Sequence, residues 1–241
     1  MANPRHDGLI LPDGREVEHP ALLLDLDGTL IEIAPTPDAV VVPPTLPHVL
    51  RRLRARHGDA VAIISGRPVE AVDALLDHAA FAVAGEHGAA LRTVPGGPVV
   101  RDGLPVLPEA ELARAAAAVA RFPGALVERK AHGVALHYRR APEAEAALRA
   151  AAEAIVAACP GFSLLAGSMT WEVRPDGVHK GNAVRALMAA PPFAGRMPVF
   201  IGDDVTDRDA IAAAAALGGV GLLVAEAFAS PAGVRAWLED A

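Results

Sequence analysis

Between residues 21 and 84 the chain alternates short, unbroken apolar runs with longer stretches whose apolar residues recur at helical spacing. Ala21–Leu24 runs straight into Asp25, Ala60–Ile64 into Ser65-Gly66-Arg67, and Phe81–Ala84 into Gly85. Continuous runs of this length read as parallel strands buried on both faces. Between them, Leu46, Val49, Leu50 and Leu53 mark one helix with Pro43 and Pro44 near its start. Pro68 opens a second that runs through about His78. The alternation predicts a parallel α/β sheet.

The rhythm changes after Gly96-Gly97-Pro98. An Ala-rich helix over about 108–121 leads into strands at 125–130 and 133–139. A second, over about 142–158, leads into strands at 162–166 and 169–174. Helix–strand–strand, given twice, predicts an antiparallel sheet with helices on one face: a small inserted α+β domain over 103–176. The α/β alternation then resumes with a helix from about Lys180, a strand at 198–201, a helix from about Thr206, a strand at 220–224 and a last helix near 231–238. The predicted organisation is a core of 20–102 and 177–241, interrupted by the insert and preceded by a polar, Pro-dotted tail at 1–19.

Composition narrows the class of protein. With 241 residues, 52% of them hydrophobic, the chain is long enough for a real core and too apolar to be disordered. No apolar run approaches the length of a membrane span, and residues 1–20 lack the apolar stretch of a secretory signal, which predicts a cytoplasmic protein without a membrane partner. The single cysteine, Cys159, cannot form an internal disulfide, in keeping with a reducing compartment. A net charge of −7 argues against nucleic acid as a partner, and an anionic substrate would need local cations or a metal.

Candidate chemistry collects at strand ends and helix starts. Asp25-Leu26-Asp27-Gly28-Thr29-Leu30 follows the first strand. Two carboxylates at i and i+2 allow one to attack as a nucleophile while the other gives and takes a proton. Gly28 permits a tight turn whose following amides, near Thr29, can face a phosphate. Ser65, Gly66 and Arg67 offer a hydroxyl, amides and a cation ahead of a helix, although Ser65 alone reads more often as a helix cap. Lys180 opens a helix, where the dipole disfavours a cation unless it reaches an anion. In Gly202-Asp203-Asp204-Val205-Thr206-Asp207, three acids within five residues repel one another unless a divalent cation neutralises them. All-oxygen donors favour Mg²⁺ over zinc.

In this order the four pieces resemble the haloacid dehalogenase (HAD) superfamily of aspartate-nucleophile phosphatases. The resemblance implies a Rossmann-like HAD core with a parallel sheet plus the inserted α+β cap domain, the four pieces lying at the carboxyl ends of strands. Within that superfamily, Ala84-Gly85-Glu86-His87-Gly88, Val127-Glu128-Arg129-Lys130, Ala135-Leu136-His137-Tyr138-Arg139, Trp171-Glu172-Val173-Arg174-Pro175 and His179-Lys180-Gly181 resemble the trehalose-6-phosphate phosphatase family. The likeness runs through nearly all the chain after residue 20. Arg208 departs from it, standing where that family usually carries an acid.

The resemblance implies Mg²⁺-dependent hydrolysis of trehalose 6-phosphate, in trehalose biosynthesis. Asp25 is the expected nucleophile, Asp27 the acid/base, and Lys180 a catalytic cation. The metal is expected on Asp25, the Asp27 carbonyl and Asp203, supported by Asp204 or Asp207. Gly28, Thr29, Ser65, Gly66 and Arg67 are expected around the phosphate, and Glu128, Lys130 and Glu172 around the sugar. Strand periodicity agrees with the last assignment. Glu128 and Lys130 share a face, as do His137 with Arg139 and Thr170 with Glu172 and Arg174, while Trp171 and Val173 take the opposite face. His87 is expected to position its loop, and His132 and His137 to be structural or at the rim. Alternatives are a phosphatase of another sugar phosphate, such as sucrose 6-phosphate or mannosyl-3-phosphoglycerate, and a non-catalytic sugar-phosphate-sensing subunit. Trehalose-6-phosphate synthase, which makes the substrate, is the candidate protein partner.

Overall fold

The computed structural model describes residues 8–36, 39–101 and 103–241; the first seven residues of the expected tail and residue 102 lie outside it. In chain order the first part carries β1 (Leu9–Ile10), β2 (Glu16–Val17), β3 (Pro20–Leu24), α1 (Leu46–Arg56), β4 (Val61–Ile64), α2 (Val69–Leu75), β5 (Ala82–Gly85) and β6 (Ala90–Arg92). The middle carries α3 (Glu109–Val119), β7 (Leu126–Arg129), β8 (Val134–His137), α4 (Glu145–Ala158), β9 (Phe162–Gly167) and β10 (Thr170–Pro175). The last part carries α5 (Lys180–Met188), β11 (Met197–Gly202), α6 (Arg208–Ala216), β12 (Val220–Leu223), α7 (Val224–Ala227) and α8 (Pro231–Asp240). The chain forms two compact units, one of residues up to Val100 with His179–Ala241, the other of Arg101–Val178.

In the first unit six strands form one sheet in the order β12-β11-β3-β4-β5-β6. The first five are parallel, with Leu22 opposite Val199 on one side and Val61 on the other; β6 joins antiparallel to β5. The antiparallel edge strand was not foreseen, because Ala90–Arg92 is too short to show a period. β3 is wholly buried, as its unbroken apolar run requires.

Alternate strand residues feed two different cores. Leu22, Leu24, Val61, Ile63, Val83, Val199 and Ile201 pack with Leu46, Leu50 and Leu53 of α1, Val72 of α2 and Val234 and Leu238 of α8. On the other side Ala21, Leu23, Ala62, Ile64, Ala82, Ala84 and Phe200 meet Ala183, Val184 and Leu187 of α5 and Ala210, Ala213 and Ala214 of α6. Alanine predominates on that side of β4 and β5, which lets a helix backbone approach closely.

Residues 8–19 do not form the expected tail. Leu9 pairs with Val17 in a short antiparallel hairpin, and Leu9, Leu11 and Val17 are buried in the core beside α1 and α8. The Trp237 indole donates to the Ile10 carbonyl at 2.9 Å. Two-residue strands are below the length at which alternation can be read.

In the second unit the sheet runs β7-β8-β10-β9, antiparallel throughout. Val134, Leu136, Tyr138, Phe162 and Val173 form its apolar face, packed on Leu112, Ala115 and Val119 of α3 and Leu148, Ala152 and Ile155 of α4. Trp171 lies against the same cluster, stacked on Tyr138 with ring centroids 6.4 Å apart. The opposite face carries Glu128, His137, Thr170 and Glu172.

Candidate active site

β3, β4 and β11 are neighbours, so the residues just past their carboxyl ends converge. These are Asp25, Ser65 and Asp203. The crossovers diverge between β11 and β3, the place where ligands bind in open α/β sheets. The Asp25 amide donates to the Ile201 carbonyl at 2.9 Å, which extends the pairing of β3 and β11 one residue into the site.

The Asp25 side chain is buried. Lys180 Nζ donates to its Oδ1 at 2.6 Å and Thr29 Oγ1 to its Oδ2 at 2.9 Å. Lys180 is the first residue of α5, and its Nζ also donates to Asp207 Oδ1 at 2.6 Å. The other Asp207 oxygen accepts the backbone amides of Asp203 and Asp204, both at 3.0 Å. Asp207 is completely buried and so ties α5 to the acidic loop after β11. Gly28 has φ +83°, and a Cβ there would collide with the Asp203 carboxylate, so both the turn and the close approach need glycine.

Asp25, Asp203 and Asp207 each present an oxygen within 4.8 Å of the others. Three carboxylates against the Lys180 ammonium leave two negative charges in excess. Burial raises the Asp25 carboxyl well above its ordinary range; Lys180 opposes that rise, while Asp207 and Asp203 add to it. Burial, then the Asp207 charge, lifts Asp203 to about 6. Burial alone would push the Lys180 ammonium down, but Asp25 and Asp207 outweigh it and hold it above the usual lysine value. A compact, all-oxygen set short of two positive charges fits a hard divalent cation.

Of the residues expected at the metal, Asp27 is expected to offer only its carbonyl, and of the two alternatives Asp204 and Asp207 it is Asp207 that joins Asp25 and Asp203. The Asp27 carboxylate is held by Arg67, Nε to Oδ2 and Nη2 to Oδ1, each at 2.7 Å, which leaves only its carbonyl for a metal. The Asp204 carboxylate is outside the cluster, because the turn that sends Asp207 inward uses Asp204 through its amide.

The residues expected at the phosphate also divide. Thr29 is completely buried with its hydroxyl on Asp25. The Gly28 amide is not offered to a ligand: it donates to the Ile31 carbonyl at 2.7 Å, closing the tight turn. Ser65 Oγ accepts the Arg67 amide at 3.1 Å and keeps its own proton to donate. The Ser65–Arg67 loop is tied to the segment after β5, with His87 N donating to Ser65 O and Glu86 N to Arg67 O, each at 2.9 Å. Glu86 and His87 adopt left-handed φ of 50° and 58°, and the His87 ring leaves no room for a Cβ at Gly66. Arg208 is exposed at the start of α6, away from the buried contacts of Asp207.

In the second unit the polar sheet face is already paired. Lys130 Nζ donates to Glu172 Oε2 at 3.0 Å, and both side chains are more than nine-tenths buried. Glu128 and Glu172 both lie opposite Ala135, one on each side of β8, and this small residue lets Lys130 reach across to Glu172. Glu128 Oε2 pairs with His137 Nε2 at 2.8 Å, and that contact holds the Glu128 carboxyl below its usual range. His132 Nδ1 faces the Pro105 carbonyl at 3.2 Å, a structural contact.

Comparison with known proteins agrees with this geometry. A family model described as trehalose-phosphatase matches residues 23–229. A probable trehalose-phosphate phosphatase of Sinorhizobium fredii (strain NBRC 101917 / NGR234) is 41% identical over 210 residues, covering 87% of this chain and 79% of the relative. The trehalose-6-phosphate phosphatase of Escherichia coli (strain K12) is 41% identical over 209 residues, covering 85% and 77%. Among solved structures, the C-terminal domain of the C. albicans trehalose-6-phosphate phosphatase superposes with a TM-score of 0.75 at 22% identity, covering 91% of this chain and 90% of that one. At that identity the superposition speaks for the fold, which is that of the HAD-like hydrolases.

Proposed function

Because the chain belongs to the trehalose-phosphatase family, we propose that it hydrolyses trehalose 6-phosphate to trehalose and inorganic phosphate. It is a phosphoric monoester hydrolase by family. The observation that carries the mechanism is the buried Asp25, oriented by Lys180 and Thr29, with a second acid two residues on.

An Asp25 oxygen attacks phosphorus as the bond from phosphorus to the sugar oxygen breaks, giving an aspartyl-phosphate. Asp27 gives its proton to the departing sugar oxygen. In the second step it takes a proton from water, whose oxygen attacks phosphorus and releases Asp25. Both Asp27 oxygens accept from Arg67 in the resting site, so a substrate phosphate must draw Arg67 to itself before Asp27 can carry that proton. Ser65, Arg67 and Lys180 then face the transferring oxygens, whose charge spreads in the transition state. Asp25, Asp203 and Asp207, with the Asp27 carbonyl, would hold Mg²⁺, which would supply positive charge against the phosphate dianion.

Glu128, Lys130 and Glu172 are proposed to bind sugar hydroxyls, as charged hydrogen-bond partners on one polar face. No helix among the described residues is long and apolar enough to cross a membrane. With a free, buried Cys159 this supports a cytoplasmic setting, where the synthase that makes the substrate would be the functional partner. The test is phosphate release from a panel of sugar phosphates, trehalose 6-phosphate, sucrose 6-phosphate and mannosyl-3-phosphoglycerate among them, with and without Mg²⁺. Preference for either of the latter two would overturn the substrate; no release from any would overturn the activity.

A further inference from the structure

Glu128 is set apart from the other two proposed sugar contacts. Lys130 and Glu172 are buried against each other, whereas the Glu128 side chain is 37% exposed. Its Oε2 is taken by His137, and its Oε1 has no protein partner among the described residues. One oxygen is anchored and the other is available to accept a hydroxyl.

The anchor has a direction. His137 ends β8, an inner strand, opposite Leu126 of β7 and Thr170 of β10. Its Nε2 meets the Glu128 carboxylate at 2.8 Å, and its Nδ1 meets Thr170 Oγ1 at 3.0 Å. An ionised carboxylate only accepts, so Nε2 carries the proton; in the neutral ring Nδ1 then accepts from the Thr170 hydroxyl. Thr170 is β-branched with few χ1 choices, and the turn before it is held by Arg139, which donates to Ser168 O and Oγ at 3.1 Å. The donors therefore run one way, from Thr170 to His137 to Glu128.

We propose that His137, its ring held in place by Thr170, is a positioning residue that aims Glu128 Oε1 at a hydroxyl of the substrate's sugar. This deepens the proposed function and rests on the reading that Glu128 binds sugar. The pair specifies a ligand with a hydroxyl donor there, and a phosphate ester lacking that hydroxyl gains nothing from it.

The experiment measures kcat and KM for trehalose 6-phosphate and for p-nitrophenyl phosphate in Glu128→Ala, His137→Asn, His137→Gln and Thr170→Val. The readout is the ratio of kcat/KM for the sugar over that for the aryl ester, which a general loss of structure leaves unmoved. Glutamine can place its amide nitrogen near the Nε2 position; asparagine reaches only the Nδ1 position. His137→Asn should lower the ratio about tenfold, mainly through KM, His137→Gln should return it to within about threefold of wild type, and Thr170→Val should fall between. His137→Asn added to Glu128→Ala should lower the ratio no further than Glu128→Ala alone. If Glu128→Ala leaves the ratio at the wild-type value, the sugar-binding reading fails and this inference with it. If Glu128→Ala lowers the ratio while His137→Asn does not, or while Gln behaves like Asn, this inference alone is overturned.

Discussion

Arg67 grips Asp27 through two parallel N–H···O bonds of 2.7 Å, so both oxygens of the acid two residues from the nucleophile are occupied before substrate arrives. If the guanidinium transfers to the substrate phosphate, its loss removes a phosphate contact as well as a partner. Arg67→Ala should lower kcat/KM on the order of a hundredfold, and Arg67→Lys should recover little, since an ammonium cannot reproduce the two-pronged contact. Steady-state kinetics check this. A faster Arg67→Ala enzyme would show that the pair only restrains Asp27.

Asp25→Asn should abolish turnover, with a loss on the order of 10³-fold or more, because no nucleophile remains. Lys180 keeps its bond to Asp207, so the variant should stay folded, with a thermal midpoint near wild type. Retention of a tenth of the wild-type activity would refute the covalent mechanism.

Asp207→Ala should be costly to stability. It strands the Lys180 ammonium opposite Asp25 alone and leaves the Asp203 and Asp204 amides without their acceptor. Removing one partner of a buried ion pair costs about 3–5 kcal/mol, measurable by urea denaturation. A loss under about 1 kcal/mol would mean that water or a metal replaces the carboxylate at no cost.

Metal and pH should be linked. Between its ordinary value of 3.8 and about 6, Asp203 in the folded protein keeps a proton that the unfolded chain has lost. Stability of the metal-free protein therefore falls as pH rises through that window, and the raised Asp25 adds in the same direction. Mg²⁺ at the triad takes the place of that proton and should flatten the slope. Thermal melts in EDTA and in Mg²⁺ across the window check this, and parallel curves would place the metal elsewhere. Chelation should also abolish phosphate release.

The buried Lys130–Glu172 pair separates recognition from folding. Alanine at either position breaks a buried ion pair, so both variants should lose about 3–5 kcal/mol of stability as well as turnover of trehalose 6-phosphate. Glu128→Ala, at a more exposed position, should lose turnover with little change in melting. Equal melting temperatures in all three variants would show that the Lys130–Glu172 pair is not held as a pair.

The order of elements was legible because the strands that carry the site are buried on both faces and so appear as unbroken apolar runs. Asp25, Lys180, Asp203 and Asp207 could be read as a group because each stands where a run stops or a helix starts. The partner of Asp27 could not: Arg67 lies 40 residues away, and either a phosphate or a carboxylate satisfies a guanidinium there. The same limit hid the engagement of the Gly28 amide, which depends on how tightly the turn closes. On the second sheet, periodicity told which side chains share a face, but the crossing from Lys130 to Glu172 depends on the small Ala135 between them. The hairpin at residues 9–17 does not show in the sequence because its two-residue strands are too short for any pattern to repeat.

The two sides of the main sheet should tolerate sequence drift unequally. Toward α1 and α8 the strands present Leu, Ile and Val, where one branched side chain can replace another with modest repacking. Toward α5 they present Ala62, Ala82 and Ala84, and α5 begins with Lys180, whose reach to Asp25 is 2.6 Å. A larger residue at one of these alanines would lift the helix and draw the ammonium back from the nucleophile. Variants that fold yet fail to turn over should therefore arise on this side of the sheet, from changes of one or two methyl groups on side chains that themselves touch no phosphate.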